Sequence, residues 1–180
     1  AILIKKEDVA NSMQRVVRDH NMRNPKWMST FVAFELTLGH VAECKIICGQ
    51  GADELFGGYK KYQDSPDARD RMKLDADELI QNEWPSYMAM ADINGKTLSA
   101  PYLDKAVVTF ANRLPLELLI KDSGNKLILR SAAKYLGVPG SMGDRQKKAM
   151  QYGSGISKAI KQCLKELDVD LQTFITKIER

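Results

Sequence analysis

Apolar residues recur along the first forty positions with helical spacing and predict two helices. Between Glu7 and His20 they lie on one face of a helix, and Asn24 and Pro25 then interrupt the pattern. The segment Trp27–Leu38 is apolar nearly all round, which predicts a buried helix that ends near Gly39.

The period changes at Cys44–Cys48, which reads CKIIC. A short apolar run bounded by glycine predicts a buried strand with Cys44 and Cys48 in the core, although the end of a helix would show the same run. Helical patterns then resume and fill the rest of the chain. The predicted helices span Ala68–Met90, Leu103–Leu114, Asn125–Leu136 and Ile156–Ile178, with Ser99–Leu103 as a connector.

The predicted fold class is therefore mostly α with a small remnant of a parallel sheet. We expect a single domain over residues 1–180, with an α/β part at 1–60 and a helical part at 61–180. Because one strand cannot form a sheet, the remaining strands are expected from residues outside this chain or from a partner.

Composition and charge narrow the class of protein. The chain has 180 residues, 44% of them hydrophobic, which is enough for a real core. The three cysteines form no CxxC pair, which argues against a disulfide framework or a zinc cluster. No apolar run is long enough to cross a membrane, so we expect a cytoplasmic protein. The net charge of +4 suits ATP or pyrophosphate and gives little reason to expect nucleic-acid binding.

A glycine-rich acidic loop follows the predicted strand. Gly49 and Gly51 allow a tight turn whose backbone amides can face phosphate oxygens. Asp53 and Glu54 come next, and carboxylates beside phosphate require a divalent cation between them, which points to magnesium. The alternative is an ordinary helix N-terminus whose acidic residues favour the helix dipole.

The loop also carries a specific resemblance. The string CGQGADELFGGYKKY at Cys48–Tyr62 is similar to the SGEGxDELFGGY signature of asparagine synthetases. Three further segments resemble that family in the same order: APYLDKAVVTFANRLP its RxPFLD stretch, NKLILR its TKxxLR segment and DRQKKAMQYGSG its RxKxxF loop. The chain is identified as a member of the family, which implies the C-terminal portion of an α/β, Rossmann-like synthetase domain of the ATP pyrophosphatase superfamily.

The resemblance implies an ATP-dependent amidoligase that adenylates an aspartate-like carboxylate, releases pyrophosphate and then forms an amide. ATP and Mg²⁺ are the implied cofactors. Asp53 matches the magnesium-binding aspartate, Lys126 the catalytic lysine, and Gln50 the position of a catalytic glutamate. The implied nucleotide-binding residues are Cys48, Gly49, Gly51, Asp53, Glu54, Arg130, Arg145 and Lys147.

Several of these residues have a plain structural alternative. Lys126 could be a surface lysine, and Arg130 could pair with Asp104 instead of phosphate. Arg145 and Lys147, together with Lys148, could be a solvated charge run instead of a pyrophosphate site.

The chain departs from the family pattern at three places. Gln50 replaces glutamate, Ser99 stands where an arginine is usual, and the SGGxDS phosphate loop is absent from these residues, as is a glutaminase domain. We therefore expect the chain to work with an N-terminal portion or partner chain that carries the loop. A catalytically impaired nucleotide-binding or interaction module and an adenylating enzyme acting on RNA are the alternatives. An unpaired sheet edge also predicts a homo-oligomer.

Overall fold

The computed structural model describes residues 3–121, 124–143 and 150–178, and these are mostly helical. The helices are α1 Lys6–Arg18, α2 Pro25–His40, α3 Ala52–Leu55, α4 Lys60–Gln63, α5 Ala68–Glu78, α6 Trp84–Ile93, α7 Lys105–Arg113, α8 Leu127–Tyr135, α9 Gly140–Gly143, α10 Met150–Gly153, α11 Ile156–Glu166 and α12 Leu171–Ile178. The strands are β1 Lys45–Ile47, β2 Thr97–Ser99, β3 Ile120–Lys121 and β4 Gly124–Asn125. Within these residues, none of the helices has the length and apolarity needed to span a bilayer.

The chain forms two compact units, each built from separate stretches of sequence. The first comprises Ala1–Cys44, Ser86–Thr97 and Lys147–Arg180, and the second comprises Lys45–Pro85 and Leu98–Gln146. The glycine-rich acidic loop and the segment around Lys126 both belong to the second unit.

The first unit is a helical assembly in which α1 packs against α2, α11 and α12. Its two N-terminal helices confirm the sequence prediction, since α1 buries one face and α2 is buried along most of its length. Glu35 of α2 is a buried charge that Ser12 and Arg15 of α1 satisfy, with Ser12 Oγ at 2.5 Å from Oε2 and Arg15 Nε at 2.6 Å from Oε1. These bonds join the two helices and compensate the desolvation of the carboxylate.

The strand predicted at Cys44–Cys48 is present as β1, but its partner and its burial differ from the prediction. Thr97 N donates to Cys44 O at 2.7 Å and Cys48 N donates to Ser99 O at 2.9 Å, which is the pattern of parallel strands. A pairing strand, β2, therefore lies within this chain. The prediction of a core position was wrong for Cys44, which is exposed, because this two-stranded sheet leaves β1 largely open; Ile47 is 76% exposed.

The core of the second unit lies beneath the acidic loop. Tyr62, Ala111 and Leu119 are almost completely buried there, and α3 packs against α5 and α7. Tyr62 OH donates to Asp75 Oδ2 at 2.5 Å, which satisfies the hydroxyl group of this large buried side chain. The loop is thus carried by a packed helical base.

The later helices follow the predicted pattern with one exception. The prediction at Ala68–Met90 corresponds to α5 and α6, which a π-helical segment at Leu79–Glu83 joins. One helix was predicted over Ile156–Ile178, and this was wrong because the chain breaks into α11 and α12. Asp168 lies in the break with φ 51°, a left-handed conformation that a helix cannot continue through.

Candidate functional site

The acidic loop begins where β1 ends and turns at Gly51. This glycine has φ 90° and precedes α3 directly. A Cβ atom there would lie 2.4 Å from Leu103 Cδ2, so both the backbone conformation and the packing against the 3₁₀ turn Pro101–Leu103 require glycine. The predicted tight turn is confirmed in geometry, and it presents α3 with its two carboxylates at a fixed position.

The chain turns a second time at Gly57 and Gly58, just after α3. Gly57 has φ 70°, and Gly58 N donates to the backbone oxygen of Asp53 at 2.7 Å. A Cβ atom on Gly58 would meet Asp53 Oδ1 at 1.8 Å and Lys126 Cε at 2.4 Å. The two side chains named in the sequence analysis therefore lie directly against the Gly58 backbone.

Asp53 and Lys126 form an ion pair across this glycine. Lys126 Nζ lies 2.8 Å from Asp53 Oδ1, and the side chains are only 22% and 19% exposed. An ion pair with this degree of burial is screened by solvent less than one on the open surface. The structure thus brings together two residues that the sequence predicted for the same site, and Lys126 is not the isolated surface lysine of the alternative interpretation.

Glu54 faces inward from the same short helix. It is buried, and its Oε1 accepts a hydrogen bond from Tyr59 OH at 2.6 Å. Burial, followed by the charge of Glu54 and this hydrogen bond, raises the pKa of Tyr59 well above its ordinary value. Tyr59 is therefore a neutral donor that holds the Glu54 carboxylate, a role that its place in the FGGY string did not reveal.

Arg130 reaches the same cluster through Asn125. Its Nε donates to Asn125 O at 3.0 Å, and Asn125 Nδ2 donates to Gly58 O at 2.7 Å. Asp104, the alternative partner considered for Arg130, caps α7 by accepting from Ala106 N at 2.8 Å. Sequence reasoning missed Asn125, whose only signal is its place immediately before Lys126.

The remaining predicted residues divide into two groups. Cys48 and Gln50 are half-buried at the start of the loop and Gly49 is exposed between them. Burial raises the pKa of the Cys48 thiol, whereas hydrogen bonding to the backbone of Gln50 acts in the opposite direction. The predicted basic residues Arg145 and Lys147, and Lys148 beside them, lie outside the described residues.

The described carboxylates around Asp53 are too few to enclose a magnesium ion. Among the described residues there is no group of three or more His, Cys, Asp or Glu side chains that could hold a metal. Magnesium commonly binds through one or two carboxylates together with phosphate oxygens and water. The site therefore fits a magnesium ion that arrives with a polyphosphate and does not fit one enclosed by protein ligands alone.

Comparison with known proteins gives a family match along most of the chain. The family model for asparagine synthase matches residues 1–98 and 88–175. The chain belongs to the asparagine synthase family. Every residue of the Asp53 cluster lies within these matched ranges.

Individual relatives of the family match about two thirds of the chain. A Methanocaldococcus jannaschii protein whose name places it among glutamine-hydrolysing asparagine synthetases is 30% identical over 67% of the chain. Asparagine synthetase domain-containing protein 1 is 31% identical over 68% of the chain in Mus musculus and 32% identical over 63% in Homo sapiens. The chain spans 29% of the archaeal protein and 21% and 19% of the two mammalian ones.

Proposed function

We propose that this chain is the C-terminal part of an asparagine-synthetase-type amidoligase domain with a Rossmann-like α/β fold. The observation that carries the proposal is the ion pair between Asp53 and Lys126 on the Gly58 backbone. A carboxylate and an ammonium group held side by side match the two charges of a magnesium–polyphosphate complex. The family membership supplies the reaction class.

The proposed reaction has two steps. In the first, an oxygen of an aspartate-like carboxylate attacks the α-phosphorus of ATP, an O–P bond forms, and the bond to the bridging oxygen breaks to release pyrophosphate. In the second, ammonia attacks the acyl carbon, AMP leaves, and the nitrogen loses a proton. The first step develops negative charge on the leaving pyrophosphate, and stabilising that charge is the contribution expected from this chain.

Each residue of the cluster has a distinct proposed role in the first step. Asp53 would hold the magnesium ion, which when bound neutralises phosphate charge. Lys126 would turn its ammonium group from Asp53 to a phosphate oxygen, a task for which a compact cation on a flexible stem is suited. Arg130, Cys48 and Gly49 are proposed to line the nucleotide site.

The second step needs a proton acceptor, and Gln50 cannot supply it. Its side chain is a neutral amide, which does not act as a base near neutral pH. The base for amide formation must therefore come from ammonia itself, from water or from a residue elsewhere. Adenylation places no such demand on Gln50, so the proposal is strongest for the carboxylate-activating step.

The phosphate loop of the complete site is proposed to come from a segment or partner chain beyond these 180 residues. The matched stretch is only 19–29% of the length of the relatives. The chain by itself should accordingly bind magnesium pyrophosphate weakly.

The test is isothermal calorimetry of the chain with pyrophosphate, in the presence and absence of Mg²⁺. We expect Mg²⁺-dependent binding that Asp53→Asn weakens at least about tenfold, the cost typical of losing a charge-assisted contact. Asp77→Asn is the matched control, because Asp77 is an exposed carboxylate on α5 of the same unit. This control should bind like the wild type.

Two results would overturn the proposal. One is a wild-type chain that does not bind magnesium pyrophosphate at millimolar concentration. The other is a result in which Asp53→Asn and Asp77→Asn weaken binding equally. The loss of affinity would then come from the change in net charge and not from the position of Asp53. ATP in place of pyrophosphate then tests whether the nucleoside adds affinity.

A further inference from the structure

Lys126 has an unusual backbone conformation for a lysine. Its φ is 52° and its ψ is 36°, in the left-handed region, and it precedes the first residue of α8. This conformation is unfavourable for a residue with a Cβ atom and persists only where the surrounding structure imposes it. The residues on either side of Lys126 are therefore expected to fix it.

Both neighbours of Lys126 are anchored. Leu127 N donates to Leu119 O at 3.0 Å, and Asn125 pairs with Ile120 in the antiparallel ladder of β3 and β4. The Asn125 side chain also donates from Nδ2 to Gly58 O at 2.7 Å. Among these hydrogen bonds, the one from the Asn125 side chain reaches the Gly58 backbone, against which the Asp53–Lys126 pair packs.

Gly58 is the other half of this link. Its N–H group donates to Asp53 O and its carbonyl group accepts from Asn125, so both peptide groups that flank Gly58 are held. The Lys126 side chain crosses this same backbone, since a Cβ on Gly58 would be 2.4 Å from Lys126 Cε. The hydrogen bond from the Asn125 side chain therefore links the segment that carries Lys126 to the backbone that the lysine crosses to reach Asp53.

We infer that Asn125 is a positioning residue for Lys126, one that aligns the lysine with Asp53 and with a bound polyphosphate through Gly58. The inference rests on the proposed function of the Asp53–Lys126 pair and adds a residue to it. Arg130 is coupled to the same point, because its Nε donates to Asn125 O at 3.0 Å. The side chain of Asn125 would thus orient Lys126 without contacting the ligand itself, whereas the Arg130 Nε bond goes to a backbone oxygen that a substitution at position 125 leaves in place.

The decisive experiment is a double-mutant cycle on magnesium pyrophosphate affinity, using calorimetry with the 180-residue chain. The four proteins are the wild type, Asn125→Ala, Lys126→Met and the double variant. If Asn125 acts through Lys126, Asn125→Ala weakens binding about tenfold in the wild-type background and less than about twofold when Lys126 is already methionine. A general loosening of the loop would weaken binding equally in both backgrounds and would overturn the inference.

A second pair of variants covers the case in which Asn125→Ala does not fold. Asn125→Thr and Asn125→Val have nearly the same shape, but only threonine carries a side-chain donor for Gly58 O, directly or through a bridging water. We expect the threonine variant to bind more tightly than the valine variant by about fivefold or more. Equal affinities would count against the role of the donor. Thermal unfolding of both variants shows whether they are equally folded.

The outcomes separate this inference from the proposed function. If the wild type binds magnesium pyrophosphate and Asp53→Asn weakens binding at least about tenfold while the cycle is additive, the proposed function stands and the role of Asn125 fails. If the wild type does not bind, both fail.

Discussion

Gly57 and Gly58 are adjacent in sequence, yet the structure gives each a different reason to lack a side chain. Gly57 has φ 70°, and a Cβ there would lie 2.4 Å from Ile120 Cγ1 in the core of the second unit. Gly58 has no such backbone requirement. Its missing Cβ makes room for Asp53 and Lys126, whose side chains can move if they are displaced.

This contrast predicts that alanine at Gly57 lowers stability, whereas alanine at Gly58 lowers ligand affinity. Gly57→Ala should destabilise the chain by about 1–3 kcal/mol, because it adds left-handed strain and overpacks the core. Gly58→Ala should change the free energy of unfolding by less than about 1 kcal/mol, because flexible side chains can yield, while magnesium pyrophosphate binding falls at least about tenfold.

Urea unfolding and calorimetry on the same two proteins measure both quantities. Each variant is the control for the other, since the chemical change is identical and the positions are neighbours. A Gly58→Ala protein that binds like the wild type would mean that the position of the Asp53 pair is unimportant for the ligand.

The proximity of Asp53 and Lys126 was predictable from sequence because each lies within a short string that resembles the family signature. Tyr59 and Asn125 were not, because their roles depend on contacts that form only on folding. Tyr59 reaches Glu54 across the turn at the two glycines, and Asn125 reaches Gly58 from a distant part of the chain. Strings of residues identify the charged groups of a site, whereas the bonds that orient them emerge from the tertiary structure.

At the scale of elements, the strongly periodic helices and β1 were predictable, whereas the other short strands of the described residues were not. The predicted helices at Glu7–His20 and Trp27–Leu38 correspond to α1 and α2 because each buries a long, regular set of apolar residues. β2, β3 and β4 contain two or three residues each, too few to show any alternation. Their pairing depends on where the neighbouring helices place them.

The break between α11 and α12 was missed because neither glycine nor proline marks it. The available signal was Asp170, whose Oδ1 accepts from Thr173 N at 2.7 Å as a helix N-cap does. Hydrogen bonds from the backbone and side chain of Thr173 lower the pKa of Asp170. An acidic residue within a helical pattern can thus be the N-cap of a second helix as well as part of a solvated helix face.

The left-handed conformation of Asp168, which is exposed, gives a direct test of this break. Asp168→Gly should stabilise the chain by about 0.5–1 kcal/mol, because glycine adopts this conformation without a Cβ penalty. Asp168→Ala should destabilise it by about 1 kcal/mol, because alanine has the penalty and lacks the local hydrogen bonding of aspartate. The free energy of unfolding in urea measures both. A stabilising alanine would show instead that one continuous helix spans this region.

At the scale of the whole molecule, the sheet formed by β1 and β2 is small and largely exposed, with no strand residue buried in either strand. Parallel sheets are normally covered on both faces and contain more than two strands. Here Ile47 is 76% exposed on a three-residue strand. Exposed strand edges with apolar side chains promote pairing with another chain. The partner that we propose for this edge is the portion of the synthetase domain that carries the phosphate loop.

Without that partner, the exposed strand should pair with a second copy. We expect the sedimentation coefficient of the chain to rise with concentration across the micromolar range, and Ile47→Lys to remove the rise, because a charge at a strand edge opposes pairing. Leu74→Lys is the matched control, since Leu74 is 68% exposed on α5 and lies outside the sheet. If both lysine substitutions reduced self-association equally, the association would depend on exposed apolar surface in general and not on the edge of β1. A wild type that stays monomeric at every concentration would show that β1 does not act as a pairing edge.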